Sequence, residues 1–405
     1  MEMTKYKLGD IAKTGSGGTP KSTVAEYYEN GNIPWINSGE LNNPFISTTS
    51  NFITQKGYDN SSAKLFPSQT VLLAMYGATA GKASLLEFEA CTNQAICAIM
   101  PNQDILLPRF LKYKLDTMYN YLVGLSTGSA RDNLSQDGIK ALELCIPPLS
   151  EQKKIASVLS ALDDKIALNK KMNQKLEAMA KRLYDYWFVQ FDFPDKNGHP
   201  YKTTGGPMTY NPSLKRKIPA GWADGVLSDI ANITMGQSPD GSSYNEDGEG
   251  MIFYQGSTDF GMRFPTVRQY TTAPTRFAKK GDILMSVRAP VGAVNIANTD
   301  CCIGRGLSAL NSKLGSLSHL YFLIDVFKKT FENKNTVGTT FGSITKDELY
   351  ALPVVIPDKS VIEQFEKMAK PIFDRQMKLG EESNRLTKLR DKLLPLLMNG
   401  QVEVN

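Results

Sequence analysis

Histidine is nearly absent from this sequence, which excludes most sites that depend on an imidazole. Only two histidines occur, His199 and His319, and neither has neighbours suited to a zinc site or a nucleophile triad. The five cysteines form no Cys-x-x-Cys pair, and their odd count fits a reducing compartment. We therefore expect no metal site and a protein that works in the cytoplasm.

Long apolar runs are also absent. No run of 18 apolar residues occurs, and the opening Met-Glu-Met-Thr-Lys segment lacks the apolar core of a signal peptide. We expect a soluble protein with no membrane partner. The hydrophobic content of 41% supports real cores, and the net charge of +5 permits a polyanionic partner without requiring one.

The catalytic motifs that the sequence approaches are all incomplete. Gly77–Ala83 looks like a P-loop, but only three residues separate its glycines and alanine follows Lys82 where Ser or Thr should bind magnesium. Asn43-Pro44-Phe45 is one proline short of an amino-methyltransferase motif. The Pro-Asp pairs at 194–195, 239–240 and 357–358 lack the following Asp/Glu-x-Lys of a nuclease centre. These absences predict a binding protein with no catalytic residue and no cofactor of its own.

What the sequence does contain is an internal repeat, with matching segments about 210 residues apart. Leu8–Ala12 matches Leu227–Ala231, and Asn93–Ile96 matches Gly304–Leu307. A unit of this length indicates a duplicated domain rather than a solenoid repeat of roughly 20 to 50 residues. The chain is therefore predicted to be pseudo-two-fold.

Each copy mixes strand and helix signals, which predicts an α/β fold of the α+β type. Ile33–Ile36 and Thr70–Ala74 have the short apolar pattern of strands bounded by turns. Arg109–Tyr121 has the spacing of an amphipathic helix.

Two further stretches repeat apolar residues at alternating spacings of four and three, the pattern of a coiled-coil seam. Each seam spans 33 residues, which is ~50 Å of helix. The seam positions are Ile155, Leu159, Leu162, Ile166, Leu176, Leu183 and Trp187 in the first stretch, and Phe365, Ile372, Leu379, Leu386, Leu393 and Leu397 in the second.

A lone helix of this kind would leave its apolar stripe in water, so we expect the two helices to pack on each other, antiparallel, as an intramolecular coiled coil. The alternative is that each helix packs on its own domain or on another subunit. Asn169, Asn173 and Gln376 fall on the seam, where they cost stability but can fix the register. Gly380 weakens the second helix, and Pro371 is compatible with it only near a start or a kink.

These patterns divide the chain into five segments. Residues 1–150 form a first globular domain, and 151–190 form a central coiled-coil helix. Residues 191–222, rich in proline and glycine, form an extended linker that wraps on the surface. Residues 223–357 form a second globular domain, and 358–405 form a C-terminal coiled-coil helix.

In this order, several motifs resemble the specificity subunit of type I restriction-modification enzymes. Gly18–Pro20 followed by Gly31–Ile36 is similar to the opening of a target recognition domain in that family. Ile146–Ala156 resembles the entry to its central helix, and Tyr186–Pro194 with Ile218–Trp222 resembles the segment that follows. The resemblance extends over nearly the whole chain.

The resemblance implies a non-catalytic subunit that binds double-stranded DNA. Each globular domain would be a target recognition domain that reads one half of a split target. The helix pair would space the two domains and carry two methyltransferase (modification) subunits, which bind S-adenosylmethionine and methylate adenine. Restriction subunits with motor and nuclease activity would complete the complex.

Because the two copies differ in sequence, their half-sites should differ, and the target is predicted to be bipartite and asymmetric. Two alternative functions would require other features. A self-contained restriction enzyme would need the methyltransferase and nuclease motifs that are missing. A coiled-coil scaffold that binds only protein would not need two elaborate, divergent domains.

The candidate DNA contacts are polar and basic residues in the glycine-rich loops. Arginine can grip guanine and Asn or Gln can grip adenine with two hydrogen bonds, whereas lysine more often contacts phosphate. In the first copy they are Lys21, Ser22, Tyr27, Asn37, Ser38, Tyr76, Thr79, Lys82, Asn93, Gln94, Arg131 and Asn133, and in the second copy Ser238, Ser242, Tyr244, Gln255, Ser257, Arg288, Arg305 and Lys346.

Overall fold

A computed structural model describes residues 2–127, 134–336 and 342–404. The chain divides into two compact units, each of which is considered by itself. Unit 1 comprises Met1–Lys165 and Arg385–Asn405, and unit 2 comprises Ile166–Asn384. Each unit therefore contains one copy of the repeat and a segment of each long helix. No helix in the described ranges is long and apolar enough to cross a membrane.

The strands of unit 1 build three sheets, which are two-, five- and four-stranded with the orders β1-β11, β2-β10-β7-β8-β4 and β5-β3-β9-β6. The strands are β1 (Thr4–Lys7), β2 (Ala12–Ser16), β3 (Ile33–Ile36), β4 (Phe45–Ile46), β5 (Phe52–Ile53), β6 (Leu65–Phe66), β7 (Val71–Ala74), β8 (Ala83–Leu86), β9 (Ala90–Thr92), β10 (Ile96–Pro101) and β11 (Glu143–Ile146).

Unit 2 repeats this topology. Its sheets have the orders β14-β24, β15-β23-β20-β21 and β16-β18-β17-β22-β19, with an added hairpin β12-β13. The strands are β12 (Met208–Asn211), β13 (Arg216–Pro219), β14 (Ala223–Val226), β15 (Ala231–Met235), β16 (Tyr244–Asn245), β17 (Met251–Tyr254), β18 (Tyr270–Thr271), β19 (Phe277–Ala278), β20 (Ile283–Ser286), β21 (Val294–Ile296), β22 (Cys301–Ile303), β23 (Leu307–Ser312) and β24 (Pro353–Ile356).

The helices follow the same duplication. They are α1 (Leu8–Ile11), α2 (Gln55–Asp59), α3 (Pro108–Thr117), α4 (Tyr119–Thr127), α5 (Gln136–Lys140), α6 (Leu149–Tyr184), α7 (Leu227–Ile230), α8 (Leu317–Thr336), α9 (Lys346–Tyr350) and α10 (Lys359–Met398). A π-helical turn, Asp185–Val189, extends α6. Shorter 3-10 turns cover Ala25–Tyr27, Ser38–Asn42, Gly241–Ser243 and Ser257–Asp259. The duplicated topology confirms the mixed α/β class and the internal repeat.

The local predictions agree with the structure in the strands and differ in one helix. Strand β3 has the predicted bounds, and β7 begins one residue later than predicted. The helix predicted over Arg109–Tyr121 is two helices, α3 and α4, because the chain leaves helical geometry at Met118 (φ −97°, ψ 5°). The apolar spacing continued across that break and concealed it.

The predicted linker, residues 191–222, is more structured than its composition suggested. It contains the β12-β13 hairpin, and Phe193 stacks on Tyr201 and Trp222 with ring centroids 4.6 and 5.0 Å apart. These aromatic side chains attach the proline-rich segment to the core of unit 2. The division into five segments remains a prediction.

The two long helices pair antiparallel within each unit, as predicted. In unit 2, Asn169 Nδ2 donates to Glu382 Oε2 at 2.8 Å, while Gln376 Nε2, earlier in α10, donates to Glu177 Oε2 at 2.8 Å. In unit 1, Arg390 Nη1 donates to Asp163 Oδ1 at 2.9 Å. The side chains of two of the three polar seam residues, Asn169 and Gln376, thus bond across the helix pair and are suited to fixing its register.

The helices also pack on their own domains, so the two predicted modes of packing coexist. Ile155 and Leu159 share the unit 1 core with Leu144 and Leu397. In unit 2, Tyr184 and Trp187 join a second core that contains Phe322 and Phe365.

Among the seam positions, the buried residues are Ile155, Leu159, Trp187, Phe365, Leu379 and Leu397, and the half-buried residues are Leu162, Ile166, Leu176, Leu183, Ile372, Leu386 and Leu393.

Helix α10 is continuous through Pro371 and Gly380, the two residues predicted to weaken or kink it. Pro371 has no N–H to bond the carbonyl of Lys367, four residues earlier in the helix. Both residues are exposed, so water can bond that carbonyl instead. Gly380 is buried, and a Cβ built on it would lie 2.5 Å from Cε2 of Phe264. The glycine therefore lets an aromatic ring of unit 2 approach the helix backbone.

Candidate nucleic-acid interface

Three loops of unit 1 meet at one edge of its sheets. They follow β3, follow β7 and connect β9 to β10. The N–H of Asn93 donates to the carbonyl of Ile36 at 3.0 Å, and the N–H of Met75 donates to the carbonyl of Ala95 at 2.8 Å. These main-chain bonds bring Asn37, Tyr76 and Gln94 onto one loop cluster, because each follows or precedes a bonded residue.

Unit 2 repeats the same main-chain bonds. The N–H of Gly304 donates to the carbonyl of Tyr254 at 2.8 Å, and the N–H of Val287 donates to the carbonyl of Gly306 at 2.9 Å. The corresponding side chains are Gln255, Arg288 and Arg305. We call each set of three loops the reading loops of its unit.

In each unit, a glycine allows a fourth segment of the chain to lie directly against the reading loops. A Cβ built on Gly17 would lie 1.9 Å from the carbonyl oxygen of Thr92, and one on Gly236 would lie 2.1 Å from that of Gly304. Only glycine permits this approach of two backbones. It brings Thr19 Oγ1 within 2.6 Å of Gln94 Oε1 in unit 1, and Ser238 Oγ within 3.3 Å of the N–H of Arg305 in unit 2.

The reading loops of unit 2 line a polar cavity of about 420 Å³. Arg268, on its wall, forms an ion pair with the buried carboxylate of Asp259. Arg288 and Arg305 are exposed and line the same cavity. Guanidinium groups, amides and hydroxyls that converge in this way provide hydrogen bonds to base edges or phosphates.

Twelve of the twenty predicted DNA contacts lie on or beside the reading loops. In unit 1 these are Asn37, Ser38, Tyr76, Thr79, Lys82, Asn93 and Gln94, and in unit 2 they are Ser238, Gln255, Ser257, Arg288 and Arg305. Their direct contact with DNA remains a prediction.

Several of the predicted contacts, on the reading loops and elsewhere, already have structural partners. Thr79 Oγ1 donates to the carbonyl of Ser38 at 2.9 Å, and Lys82 Nζ donates to Asn42 Oδ1 at 2.5 Å. Ser242 Oγ donates to Asp240 Oδ1 at 2.6 Å, and Tyr244 stacks on Phe253. Asn37 itself caps the following 3-10 turn.

The remaining candidates lie elsewhere or outside the described ranges. Lys21 and Ser22 are exposed, and Tyr27 is half-buried in the turn Ala25–Tyr27. Lys346 lies on α9, with its Nζ 5.3 Å from the ring centre of Tyr350. Arg131 and Asn133 fall outside the residues that the structure describes.

The residues that line the unit 2 cavity without having been predicted include Glu246, Arg268 and Gln269. Arg268 and Gln269 have the residue types used to select the other candidates. They were missed because they precede β18, a two-residue strand that shows no alternating pattern.

Two buried cysteines of the core are poor nucleophiles. Burial raises the pKa of the Cys97 and Cys301 thiols to about 12, so both stay protonated at neutral pH. In the described part of the chain, no group of three or more His, Cys, Asp or Glu side chains could hold a metal ion.

Comparison with known proteins identifies relatives that match this architecture. A model of the type I restriction modification DNA specificity domain matches residues 1–178 and 219–391. The type I restriction enzyme MjaIX specificity subunit of Methanocaldococcus jannaschii is 29% identical over 98% of this chain and 93% of its own length. The HindI specificity subunit of Haemophilus influenzae is 23% identical over 98% of this chain and 99% of its own length.

The crystal structure of a type I restriction-modification system S subunit from M. genitalium shares the fold. It matches with a TM-score of 0.61 at 16% identity, over 98% of this chain and 96% of that one. The family model covers both copies of the repeat, including the strands that carry the reading loops. The chain therefore belongs to the family of type I restriction-modification specificity subunits, the proteins that recognise the DNA target.

Proposed function

We propose that the chain recognises an asymmetric, bipartite DNA target, with one half-site read by each unit. The observation that carries this proposal is the repetition of the reading loops with different side chains. The same two main-chain bonds recur in both units, yet Tyr76 and Gln94 correspond to Arg288 and Arg305. Equal frameworks with unequal side chains are suited to two similar binding modes that select different bases.

Two linked readers select a longer target than either could alone. A single domain reaches only a few base edges, but binding by the second becomes intramolecular once the first is bound. For both to lie on one face of B-DNA, their sites should be about one helical turn, roughly 34 Å, apart. The bases between the half-sites would then go unread.

The proposed partners are two methyltransferase subunits, which bind S-adenosylmethionine and methylate adenine, and restriction subunits, which cleave DNA. The proposal of protein partners is supported by the parts of α6 and α10 in unit 2, where the apolar side chains of Leu168, Met179 and Met368 are about half exposed. The proposed place of action is the cytoplasm, where DNA and S-adenosylmethionine are both found.

Methylome sequencing tests this proposal. Cells that lack other adenine methylation should express the methyltransferase partner with and without this chain. We expect one bipartite motif, with two different halves and an unread spacer, that is methylated only when the chain is present. A palindromic or continuous motif, or none, would contradict the proposal.

A second experiment tests the spacing role of the helices. Removal of one heptad from α6 and the facing heptad from α10 should change the number of unread bases while both half-site sequences stay the same. A change in either half-site sequence would show that the helices do more than set the spacing.

A further inference from the structure

We propose that Arg288 and Arg305 read guanine in the half-site of unit 2, an inference that rests on the proposed function. It concerns two residues at the ends of neighbouring strands and the class of base that they select. It also predicts where the two half-sites differ.

The backbone places the two arginines side by side. Strands β20 and β23 pair antiparallel with Ser286 opposite Leu307, and the next main-chain bond joins Val287 to Gly306 at 2.9 Å. Arg288 and Arg305 are the residues immediately beyond that bond on each strand. Both line the cavity of about 420 Å³.

The two guanidinium groups lack acidic partners among the described residues. Neither forms an ion pair or a side-chain hydrogen bond there, and both are exposed. The third arginine of the wall, Arg268, differs because Asp259 neutralises it. Like charges that face each other across a strand pair destabilise it, so an acceptor-rich ligand would relieve the repulsion.

Guanine has the acceptor pattern that an arginine fork requires. Its O6 and N7 atoms lie in the major groove and accept two parallel hydrogen bonds from one guanidinium. The paired cytosine presents an N4 amino group that can donate a hydrogen bond to a carboxylate, and the same cavity wall contains Glu246. A G·C pair therefore matches both kinds of charge that line the cavity.

Unit 1 offers a different set of groups at the corresponding places. Tyr76 follows β7 as Arg288 follows β20, and Gln94 lies between β9 and β10 as Arg305 lies between β22 and β23. A glutamine amide matches adenine rather than guanine. The guanine requirement should therefore belong to one half-site only.

The competing role for these arginines is contact with phosphate, which fixes position but carries no base information. Lysine distinguishes the two roles. It keeps the positive charge and can still bind phosphate, but it lacks the planar fork that holds O6 and N7 together.

The test uses the assembled complex with its methyltransferase partner and compares wild type, R288K, R305K and the control R216K. Arg216 lies in the same unit, on strand β13, and its guanidinium is 5.5 Å from the ring centre of Phe191. Methylome sequencing should show that R288K and R305K each relax one guanine in the unit 2 half-site. The preference for guanine should fall about 5- to 150-fold at that position, while the other half-site and the R216K motif stay unchanged.

A DNA-side measurement does not depend on whether the variants fold. Wild-type complex should bind a duplex with 7-deazaguanine in the unit 2 half-site about 5-fold or more weakly, because the N7 acceptor is missing. The same replacement in the unit 1 half-site should have a smaller effect.

Four outcomes separate the inference from the proposed function. If no bipartite motif depends on the wild-type chain, both fail. If the motif exists but its unit 2 half contains no guanine, only the inference fails. It also fails if R288K and R305K lower methylation at every site without relaxing any base, since that is the phosphate result, or if 7-deazaguanine leaves binding unchanged.

Discussion

The two units attach their globular domains to the long helices with different chemistry. In unit 1 the arginine that bonds both helices together is on a helix itself, because Arg390 of α10 donates to Asp163 of α6. The domain adds the hydroxyl of Tyr113, which donates to Asp163 Oδ2 at 2.6 Å, and Arg109, whose Nη1 lies 3.6 Å from Asp164 Oδ1. The domain therefore joins an ion pair that the helices already form between themselves.

In unit 2 the globular domain supplies the arginine. Arg263 Nη1 donates to Glu177 Oε2 at 2.9 Å and its Nη2 donates to Gln376 Oε1 at 2.7 Å, so one side chain contacts both helices. Its guanidinium also lies 4.6 and 4.5 Å from the ring centres of Tyr321 and Phe373.

The difference shows that two domains with the same topology can be attached to the helices by different interactions. Loss of Arg263 should weaken the contact of the unit 2 domain with both helices at once, whereas unit 1 retains its helix-to-helix pair when the Tyr113 contact is removed. Four predictions test this comparison.

The largest effect is expected for R263A. Arg263 is 4% exposed, and its removal leaves Glu177 and Gln376 without a cation and opens a cavity beside two rings. We expect unit 2 to lose about 3 kcal/mol of stability, the low end of the range for removing one partner of a buried ion pair, because Arg263 is buried whereas Glu177 is 35% exposed. Hydrogen exchange of the full chain, resolved by peptide, should show faster exchange in unit 2 alone.

K370A is the matched control, because Lys370 and Asp374 form an exposed ion pair on α10 of the same unit. Such pairs contribute about 0.5 kcal/mol or less. If R263A costs no more than K370A, the proposed attachment through Arg263 is wrong.

Acid should weaken unit 2 selectively. His319 is enclosed by Tyr184 and Phe188, and burial lowers its pKa from 6.5 to about 3. Between these values the unfolded chain binds a proton that the folded unit excludes, so stability falls as the pH falls. The loss should reach about 2 kcal/mol at pH 5.

Hydrogen exchange at pH 7 and pH 5, corrected for intrinsic rates, measures this loss. H319Q should remove most of the pH dependence of unit 2. Both histidines of the chain lie in unit 2, so unit 1 serves as the internal control. Equal acid sensitivity in the two units would contradict the assignment.

Alanine at Gly380 should destabilise unit 2 even though alanine favours helices. Its Cβ would meet the buried ring of Phe264, and overpacking exceeds the gain in helix propensity, which leaves a net loss of about 1.5 kcal/mol. G124A in α4 of unit 1 is the control, because a Cβ there has nothing within 4 Å. Chemical unfolding should show opposite signs for the two variants.

The smallest effect is expected for Y113F. Burial, reinforced by the bond to Asp163, raises the pKa of Tyr113 and keeps it a hydrogen donor. Its loss should cost about 1 kcal/mol, because Asp163 keeps Arg390. Y121F, which alters an exposed tyrosine of α4, should cost nothing measurable. If Y113F lowered the stability of unit 1 as much as R263A lowers that of unit 2, the two domains would depend equally on a single contact, which contradicts the comparison.

The parts of the fold that the sequence predicted are those with periodic signals. Strand β3 and the antiparallel helices follow from apolar spacing, and the repeat follows from matched segments. The attachment through Arg263 had no such signal, because it joins residues 86 and 113 positions apart in the chain. The role of Gly380 could not be predicted for the same reason, because the glycine is required by contact with the ring of Phe264, which is far from it in the sequence.

The candidate site was predicted in part. Arg288, Arg305, Asn37 and Gln255 could be chosen from the sequence because their side chains can bond base edges and they lie beside glycine-rich turns. Residue chemistry could not reveal that the Thr79 hydroxyl already donates to the carbonyl of Ser38, or that the Gln94 amide oxygen already accepts from Thr19. These bonds depend on which loops meet, and loop contacts carry no periodic pattern.

The main-chain bonds that hold the reading loops have a consequence for how the protein can evolve. Because N–H and carbonyl groups fix these loops, the framework does not depend on which side chains they present. A substitution at Tyr76, Gln94, Arg288 or Arg305 would therefore change the groups that the loops present without removing the main-chain bonds. Under the proposed function, a single substitution at one of these positions would be enough to change the DNA target.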